Sequence, residues 1–341
     1  MIGVAHACFE RPDSEGVALI LRDIHPVPLT LVHVHAVGVG HADYLIASGQ
    51  ALGDDDDDET GIFSEGAGEV LQAGSRSGFQ AGDRVFLRYP ACCRTFLRLP
   101  VAFVAPLLPQ ISFVEAAALP TAGLMALYAL RTLERISTDD SVLVRHAANA
   151  VEHSQEKREI LRAKYNLSPE FILSEHQGGL EIVNGIWQAI SEGGVDLVLN
   201  FDRQELEGSL DALAPFGTLV SLDLSNTRPP DHPRLLRDAA SRCITLAAVD
   251  LTKLHGQKPA IVRQLLRQLS QLMLDGSVVP VTPVKVLAAS ELAKNLQTVQ
   301  KRQISSKAVL DLGPRQSVSV SAAMGPVRVI VWLDFTTRTS G

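Results

Sequence analysis

The chain has 341 residues, enough for two domains and a sizeable core, and its 46% apolar and 20% charged residues are typical of a globular protein. A formal net charge of −7 argues against nucleic acid as the partner, because phosphate binding depends on clustered lysine and arginine. The four cysteines, two of them adjacent at Cys92 and Cys93, have neither disulfide-framework nor Cys-x-x-Cys spacing. With no signal-peptide core and no apolar run of about 18 residues in the sequence, we expect a cytoplasmic protein that makes no contact with membranes.

The first third of the chain is patterned as short strands with glycine at the turns. In "LTLVHVHAVGVG" (29–40), His33 and His35 alternate with apolar residues, which places both on one face of a strand. Two interpretations stay open for this pair: a metal site, or, as the pattern favours, a solvated strand face.

From residue 114 onward the pattern alternates between helix and strand. Residues 114–133 are predicted to form the first helix, bent at Pro120. Strands are predicted in 142–144, 195–201, 217–224 and 243–251, with the first and the last buried. Residues 259–276 carry apolar residues at i, i+3, i+4 and i+7, which predicts an amphipathic helix ending at Gly276. This order predicts an antiparallel β domain followed by a parallel α/β domain.

Several stretches, taken together and in order, resemble one known family. They are "AVGVGHADYLIASGQ", "EGAGEVLQAGS", "FQAGDRVF", "FVEAAALPTAGLMALYAL", "SQEKREIL", "VDLVLNFDRQELEGSLDALAPFGTLVSL", "ITLAAVDL" and "SSKAVLDL". The set resembles the enoyl reductase domain of fungal highly reducing polyketide synthases, within the medium-chain dehydrogenase/reductase superfamily, over roughly residues 1–312. The resemblance implies an α/β chain in which a GroES-like, β-rich substrate domain adjoins a Rossmann-type parallel α/β domain. It also implies NADPH-dependent reduction of an α,β-unsaturated acyl thioester on a carrier protein.

Four segments are expected from this resemblance. Residues 1–113 would be the GroES-like substrate domain, 114–258 the incomplete cofactor domain, 259–312 the return to the substrate domain, and 313–341 an atypical tail.

The glycine-rich turn of a Rossmann domain is missing from the sequence. Such a turn lets backbone N–H groups approach a pyrophosphate at a helix N-terminus. After the strand at 142–144 the chain reads "HAANAV" (146–151), and no glycine occurs between Gly123 and Gly178. The landmark "SQEKREIL" follows almost at once, so the cofactor domain is predicted to lack its first helix and second strand.

Some residues that the resemblance directs toward NADPH are present. Ser154, Lys157 and Arg158 match a motif near the adenosine 2′-phosphate, although the pattern favours an amphipathic helix with solvated charges. Asn200 matches an asparagine on the nicotinamide side, and Lys307 matches the lysine of a Gly-Lys pair.

Zinc is not expected. Zinc-dependent members of the superfamily carry Cys and His where this chain has Gly40 and Ser64, and neither glycine nor serine supplies a zinc ligand.

Only some of the expected catalytic residues are present in the sequence. Reduction of an enoyl thioester creates an enolate that must be stabilised and protonated. The resemblance implicates an aspartate, present as Asp250, and a lysine after the strand at 217–224, where the chain passes from Leu222 to Asp223 without it. Tyr44 is a candidate proton donor, and the alternative for it is a packing role.

These two losses predict a catalytically inactive, structural enoyl reductase-like domain of polyketide biosynthesis, with NADPH binding weak or absent. Two alternatives stay open: an active NADPH-dependent enoyl reductase or quinone reductase-like oxidoreductase, and a truncated gene product with intron-derived residues after Gly313. The expected partners are an acyl carrier protein, neighbouring synthase domains and a trans-acting enoyl reductase, and a homodimer is compatible with the family. A basic series is the candidate contact for the carrier protein or its phosphopantetheine phosphate: Arg84, Arg88, Arg94 and Arg98.

Overall fold

The structure is a computed structural model. It describes residues 28–40, 43, 63–90, 92–134, 136–145, 162, 168, 185–186, 193–201, 206–222, 233–280, 284–288 and 307–313. Tyr44, Ser154, Lys157 and Arg158 lie outside the described residues, as does the tail after Gly313.

In the part of the chain that the structure describes, the first sheet has seven strands and is antiparallel at every pairing but one. Its strands are β1 (Leu29–Val39), β2 (Glu65–Ala73), β3 (Arg84–Arg88), β4 (Phe96–Pro100), β5 (Val104–Pro106), β10 (Val284–Ala288) and β11 (Lys307–Asp311). The order is β10-β11-β1-β2-β3-β5, with β4 also paired to β1, and only β10 and β11 are parallel. Two C-terminal strands therefore lie in the same sheet as the N-terminal ones. The division of the chain into four segments itself stays a prediction.

The second sheet is parallel throughout. Its described strands are β6 (Val142–Arg145), β7 (Val195–Asn200), β8 (Leu213–Ser221) and β9 (Thr245–Ala248), in that order. The helices of this part are α3 (Leu206–Asp211), α4 (Pro233–Ser241), α5 (Leu251–Gln257) and α6 (Pro259–Leu274). The prediction of a β-rich part followed by a parallel α/β part is confirmed. The predicted loss of a first helix and second strand falls mainly on residues 146–192, outside the described ranges, and stays a prediction.

The burial predicted for two of the strands is wrong. The strands at 142–144 and 243–251 were expected to be buried, but Val142 and Val144 are 36% and 44% exposed and Leu246 is 40% exposed. Within the described part of the sheet, β6 and β9 are the two terminal strands, each with one neighbour, so their side chains lack cover on one flank.

The predicted helix at 114–133 is divided into three pieces. Helix α1 (Phe113–Ala117) starts with a capping box in which Ser112 and Glu115 bond each other's backbone amides. Pro120 does not bend this helix but begins a second one, α2 (Pro120–Leu127), because proline has no N–H to lose at the first helical position. A π-helix, Tyr128–Leu133, completes the segment.

Helix α6 confirms the amphipathic prediction. Its buried side follows the 3.6-residue repeat and packs against α2, β5 and the 3₁₀ turn at Val101–Phe103. The backbone leaves the helix at Gly276 with φ of 77°, as the terminal glycine predicted. One continuous apolar core joins this helix to both sheets. No helix in the described ranges is both long enough and apolar enough to span a membrane.

Candidate functional site

Two glycines in and after β1 let charged side chains meet across it. A Cβ at Gly38 would lie 2.6 Å from the Glu65 Cγ atom and 2.4 Å from the Ala117 carbonyl oxygen, so no side chain fits there. A Cβ at Gly40 would lie 3.9 Å from the Lys307 Nζ atom. Because no side chain blocks the way, Lys307 on β11 reaches over β1 to Glu65 on β2, where its Nζ lies 2.6 Å from Oε1.

The Glu65 carboxylate also caps a helix. Its Oε2 atom accepts a hydrogen bond of 2.7 Å from the Thr121 backbone N–H in the first turn of α2, whose own N-cap residue, Leu119, offers no side-chain acceptor. Burial alone would raise the pKa of Glu65, but the Lys307 charge and the Thr121 hydrogen bond hold it below its ordinary value. Glu65 therefore stays ionised although only 3% of the residue is exposed.

Asp43 is a second buried carboxylate in this cluster. Its Oδ2 accepts a hydrogen bond of 2.6 Å from the Gly40 N–H, and its Oδ1 accepts one of 2.7 Å from the Phe63 N–H. Burial raises the pKa of Asp43 to about 6, against the opposing effect of these amides and of Lys307. Phe63 has a φ of 64°, unusual for a bulky residue, and its bond to Asp43 helps hold that conformation.

Arg88 adds a second cation. It is the cross-strand partner of Glu65 in the β2–β3 pairing and is only 6% exposed. Its Nε atom is buried without a hydrogen-bond partner among the described residues. Burial lowers the pKa of Arg88, while the charges of Glu65, Asp43 and Asp250 oppose that effect. We refer to Asp43, Glu65, Arg88 and Lys307 as the charged cluster.

The four arginines of the basic series do not lie together on the protein surface. Arg84 is tied down by hydrogen bonds from its guanidinium to the carbonyl oxygens of Leu108, Pro109 and Ile111, and Arg88 is buried in the charged cluster. Only Arg94 and Arg98 are exposed. The four arginines therefore do not form one contact surface, because Arg84 and Arg88 are held within the protein, and a contact of Arg94 and Arg98 with a carrier protein stays a prediction.

Asp250 lies just after β9, at the N-cap of α5. Its Oδ1 accepts hydrogen bonds from the backbone N–H groups of Thr252 and Lys253 at 2.9 and 3.0 Å, and Lys253 Nζ lies 3.8 Å from Oδ2. The candidate catalytic carboxylate is thus a helix cap whose charge also acts on Arg88.

Aromatic rings join α5 to the end of β3. His255 stacks on Phe103 at a centroid distance of 3.9 Å and meets Tyr89 edge-on at 5.1 Å. Burial first, and then the Arg88 charge, lowers the pKa of His255 to about 4, so the ring is neutral at physiological pH.

Asn200 lies at the carboxyl end of β7, the edge at which ligands meet parallel sheets. The residue is fully buried, and its carbonyl oxygen accepts a hydrogen bond of 2.8 Å from the Leu222 N–H. On the neighbouring strand β6 its register partner is Arg145, which is 7% exposed and donates a 3.1 Å bond to the Ser209 hydroxyl. The structure places Asn200 in the second sheet and Lys307 in the first.

The two adjacent cysteines are not nucleophiles in this environment. Burial raises the pKa of the Cys92 thiol far above its ordinary value, and that thiol donates a hydrogen bond of 2.7 Å to the Tyr89 carbonyl oxygen. Burial raises the pKa of Cys93 to about 11.

His33 and His35 share a strand face, as the alternation predicted, but that face is not simply solvated. Their ring centroids are 4.3 Å apart, His33 stacks on Phe96, and His35 stacks on Phe113. Burial and the neighbouring His33 lower the pKa of His35. Among the described residues no group of three or more His, Cys, Asp or Glu side chains is arranged to hold a metal ion.

The charged cluster was not predicted from the sequence. No role was predicted for Glu65 or Asp43, and Arg88 was predicted to contact a carrier protein. The one local signal was the spacing of Gly38 and Gly40, two residues without a side chain at and just after the end of β1.

Comparison with known proteins agrees with the fold. Residues 29–125 match the alcohol dehydrogenase GroES-like domain. The chain is 27% identical over 337 residues to highly reducing polyketide synthase PKS2 of Leptosphaeria maculans, a match covering 91% of this chain but only 13% of that protein. Among solved structures, the CurK enoyl reductase superposes with a TM-score of 0.69 at 22% identity, covering 87% of this chain and 94% of that one.

A mycobacterial protein, Rv1454c, solved in complex with NADPH, superposes with a TM-score of 0.69 at 18% identity over 83% of this chain and 91% of that one. These findings show an alcohol dehydrogenase GroES-like domain at residues 29–125 and an overall fold shared with solved enoyl reductases such as CurK, and the chain is similar in sequence to fungal highly reducing polyketide synthases.

Proposed function

We propose that this chain is an enoyl reductase-like domain of a polyketide synthase that has a structural role and does not itself reduce the enoyl thioester. The proposal depends on one observation. No lysine occurs directly after the carboxyl end of β8, where the sequence continues Ser221-Leu222-Asp223. The resemblance to enoyl reductase domains implies a lysine at this point that stabilises or protonates the enolate.

The remaining charged groups are committed to contacts within the protein. The Lys307 ammonium is held by Glu65 at 2.6 Å, and Asp250 uses its Oδ1 atom to cap α5. Either group would have to give up these bonds to serve a substrate. Loss of a single oxyanion donor costs roughly 10²- to 10³-fold in rate, so a site without this lysine is expected to be a poor catalyst.

The residues present do not fit NADPH well. Strand β6 ends at Arg145, whose buried guanidinium bonds the Ser209 hydroxyl, and the sequence after it has no glycine before Gly178. Without glycine the backbone N–H groups of a turn cannot approach a pyrophosphate closely. We therefore assign no reaction step to the cofactor in this chain.

The test is a pair of measurements on the purified full chain. NADPH is titrated to millimolar concentration by calorimetry, and turnover of a crotonyl thioester is followed by loss of NADPH absorbance. We expect neither saturable binding nor turnover, together with a cooperative unfolding transition. Saturable micromolar binding with turnover would instead establish an active reductase, and a chain without cooperative unfolding would be a truncated product.

The structural role implies partners within the assembly line. The chain covers about an eighth of the length of the synthase that it matches, which supports a place among neighbouring domains. In this proposal a trans-acting enoyl reductase supplies the reduction, while the domain keeps contact with the acyl carrier protein and is compatible with a homodimeric synthase.

A further inference from the structure

Four aromatic rings form a row across one face of the first sheet. His33 and His35 lie at its centre, with ring centroids 4.3 Å apart. Phe96, the register partner of His33 on β4, stacks on His33 at 5.2 Å. Phe113, the first residue of α1, stacks on His35 at 4.5 Å with only 13° between the ring planes. The two imidazoles are therefore enclosed between phenyl rings that limit how far either can turn.

A register shift of the β-bulge type sets the position of His35. The pairing of β1 with β2 shifts between Val34 and Ala36, so His35 has no register partner on β2. Gly68 makes this close pairing possible, because a Cβ there would collide with the His33 carbonyl oxygen. Both histidines still lie on the same face of β1 and are half-buried, so solvent reaches the pair.

One nitrogen atom of the pair has an unmet bonding capacity. His35 Nε2 is buried and has no hydrogen-bond partner among the described residues. Buried polar atoms are normally satisfied by protein, water or an ion, so a further ligand is expected at this nitrogen. Burial and the neighbouring His33 lower the pKa of His35, with a smaller contribution from Arg84, and the charges of Glu69 and Asp311 only partly oppose them. The ring is therefore neutral at physiological pH, the form in which imidazole binds metal ions.

The separation of the two rings indicates which ions fit. An imidazole nitrogen lies about 2.0–2.1 Å from a bound ion, and its ring centroid lies about 1.1 Å farther away. Two rings on one ion would then have centroids about 4.5 Å apart at a right angle and about 5.2 Å apart at a tetrahedral angle. The observed 4.3 Å is close to the right-angle value, which is the geometry that Cu²⁺ and Ni²⁺ prefer and Zn²⁺ does not.

We propose that His33 and His35 together bind one divalent transition metal ion, with Cu²⁺ preferred and water completing its coordination. The affinity of nitrogen ligands rises from Ni²⁺ to Cu²⁺ and falls again at Zn²⁺. Glu69, the register partner of His33 on β2, and Asp311 supply negative charge nearby, whereas Arg84 is the opposing cation. This site requires neither NADPH nor a thioester and is independent of the proposed function.

The experiment titrates the metal-free full chain with Cu²⁺ by calorimetry and records an electron paramagnetic resonance spectrum at one equivalent. The test variants are His33→Phe and His35→Phe, which each remove one ligand but keep an aromatic ring in the row. The matched control is His255→Phe, the same change at another histidine that stacks on a phenylalanine. Circular dichroism establishes that each variant folds.

We expect the tightest Cu²⁺ ion of the wild type to show hyperfine coupling to two imidazole nitrogens. Each test variant should bind it at least about tenfold more weakly, since even the outer-shell partners of a metal-bound imidazole contribute that much, and His255→Phe should bind it within about twofold of the wild type. Because the ion binds the folded chain, it should raise the Tm of the wild type and of the control but not that of the test variants.

Several outcomes would overturn the proposal. Equal affinity of the wild type and either test variant would place the ion elsewhere in the chain. Binding only at millimolar concentration would be an adventitious contact, and tighter binding of Zn²⁺ than of Cu²⁺ would contradict the right-angle geometry. If a test variant does not fold, the wild-type spectrum decides alone, because absence of coupling to two nitrogens excludes a site made by two histidines.

Discussion

Replacing Lys307 with methionine should reveal how much the charged cluster contributes to stability. The substitution keeps a side chain of similar length but removes the ammonium that lies 2.6 Å from Glu65 Oε1. The carboxylate is then left in an environment where only 3% of the residue is exposed, with Thr121 as a hydrogen-bond donor and the Arg88 charge nearby.

The magnitude follows from the geometry. At 2.6 Å and an effective dielectric constant of about 20, the Coulomb attraction is about 6 kcal/mol, most of which offsets the cost of desolvating Glu65. Removal of one partner from a buried pair costs about 3–5 kcal/mol. Because 24% of the Lys307 side chain is exposed, we expect a loss near the lower end, about 3 kcal/mol at pH 7.

The loss should depend on pH in a defined direction. In the wild type the pKa of Glu65 is depressed, so its contribution is present above the ordinary value of 4.5 and is lost as pH falls through the folded-state pKa. Without Lys307 the pKa of Glu65 should rise, because burial raises it and the largest charge that opposes burial is gone, so the ionised carboxylate should contribute less to stability as pH rises. The difference between the two proteins should therefore grow from pH 4 to pH 7.

Urea unfolding followed by circular dichroism measures this difference at each pH. Lys285→Met on the adjacent strand β10 is the matched control, since Lys285 is exposed and has no carboxylate within 4 Å among the described residues. A loss below about 1 kcal/mol, or one that is constant between pH 4 and pH 7, would refute this account of Glu65.

Three further predictions concern other groups. Gly38→Ala should destabilise the fold by about 1–3 kcal/mol, because its Cβ would lie 2.4 Å from the Ala117 carbonyl oxygen. A Cβ at Gly256 in α5 meets nothing within 4 Å, so Gly256→Ala should stabilise the fold by about 0.5–1 kcal/mol. Urea unfolding of the two variants measures both changes. Asp43 should titrate near pH 6 when its carboxyl group is followed by NMR. Because its folded-state pKa is raised, its contribution to stability is present below pH 3.8 and is lost as the pH rises through about 6. A titration midpoint near pH 4 would contradict its burial. The His255 ring has a depressed pKa of about 4, so stability is present above 6.5 and falls as pH drops toward 4; His255→Phe should remove that acid sensitivity in thermal unfolding, and an unchanged profile would exclude the histidine as its source.

Local pattern was enough to find most elements of the fold. Helix α6 was predictable because its apolar repeat and terminal glycine are signals within one segment. The exposure of β6 and β9 was not, since an apolar run does not reveal how many neighbours a strand will have. Pro120 was recognised, but whether a proline bends one helix or starts another depends on the backbone hydrogen bonds around it.

The candidate site was harder to predict because it is assembled from strands far apart in the chain. Glu65 and Lys307 are separated by 242 positions, and only the pairing of β11 with β1 brings them together. Arg88 has the same local context as an exposed strand arginine, and its burial follows from its register opposite Glu65. Register between strands is a tertiary property, so the sequence could supply the residues of the charged cluster but not their contacts.

Within the charged cluster, the positive charges of side chains balance the negative charges of the buried carboxylates. Two cations, Lys307 and Arg88, lie near the carboxylates of Glu65 and Asp43. A buried carboxylate needs a positive charge close to it, and side-chain ammonium and guanidinium groups meet that need. A side chain larger than alanine at Gly40 would crowd two members of the cluster, because a Cβ there would lie 3.5 Å from the Asp43 Oδ2 atom and 3.9 Å from the Lys307 Nζ atom.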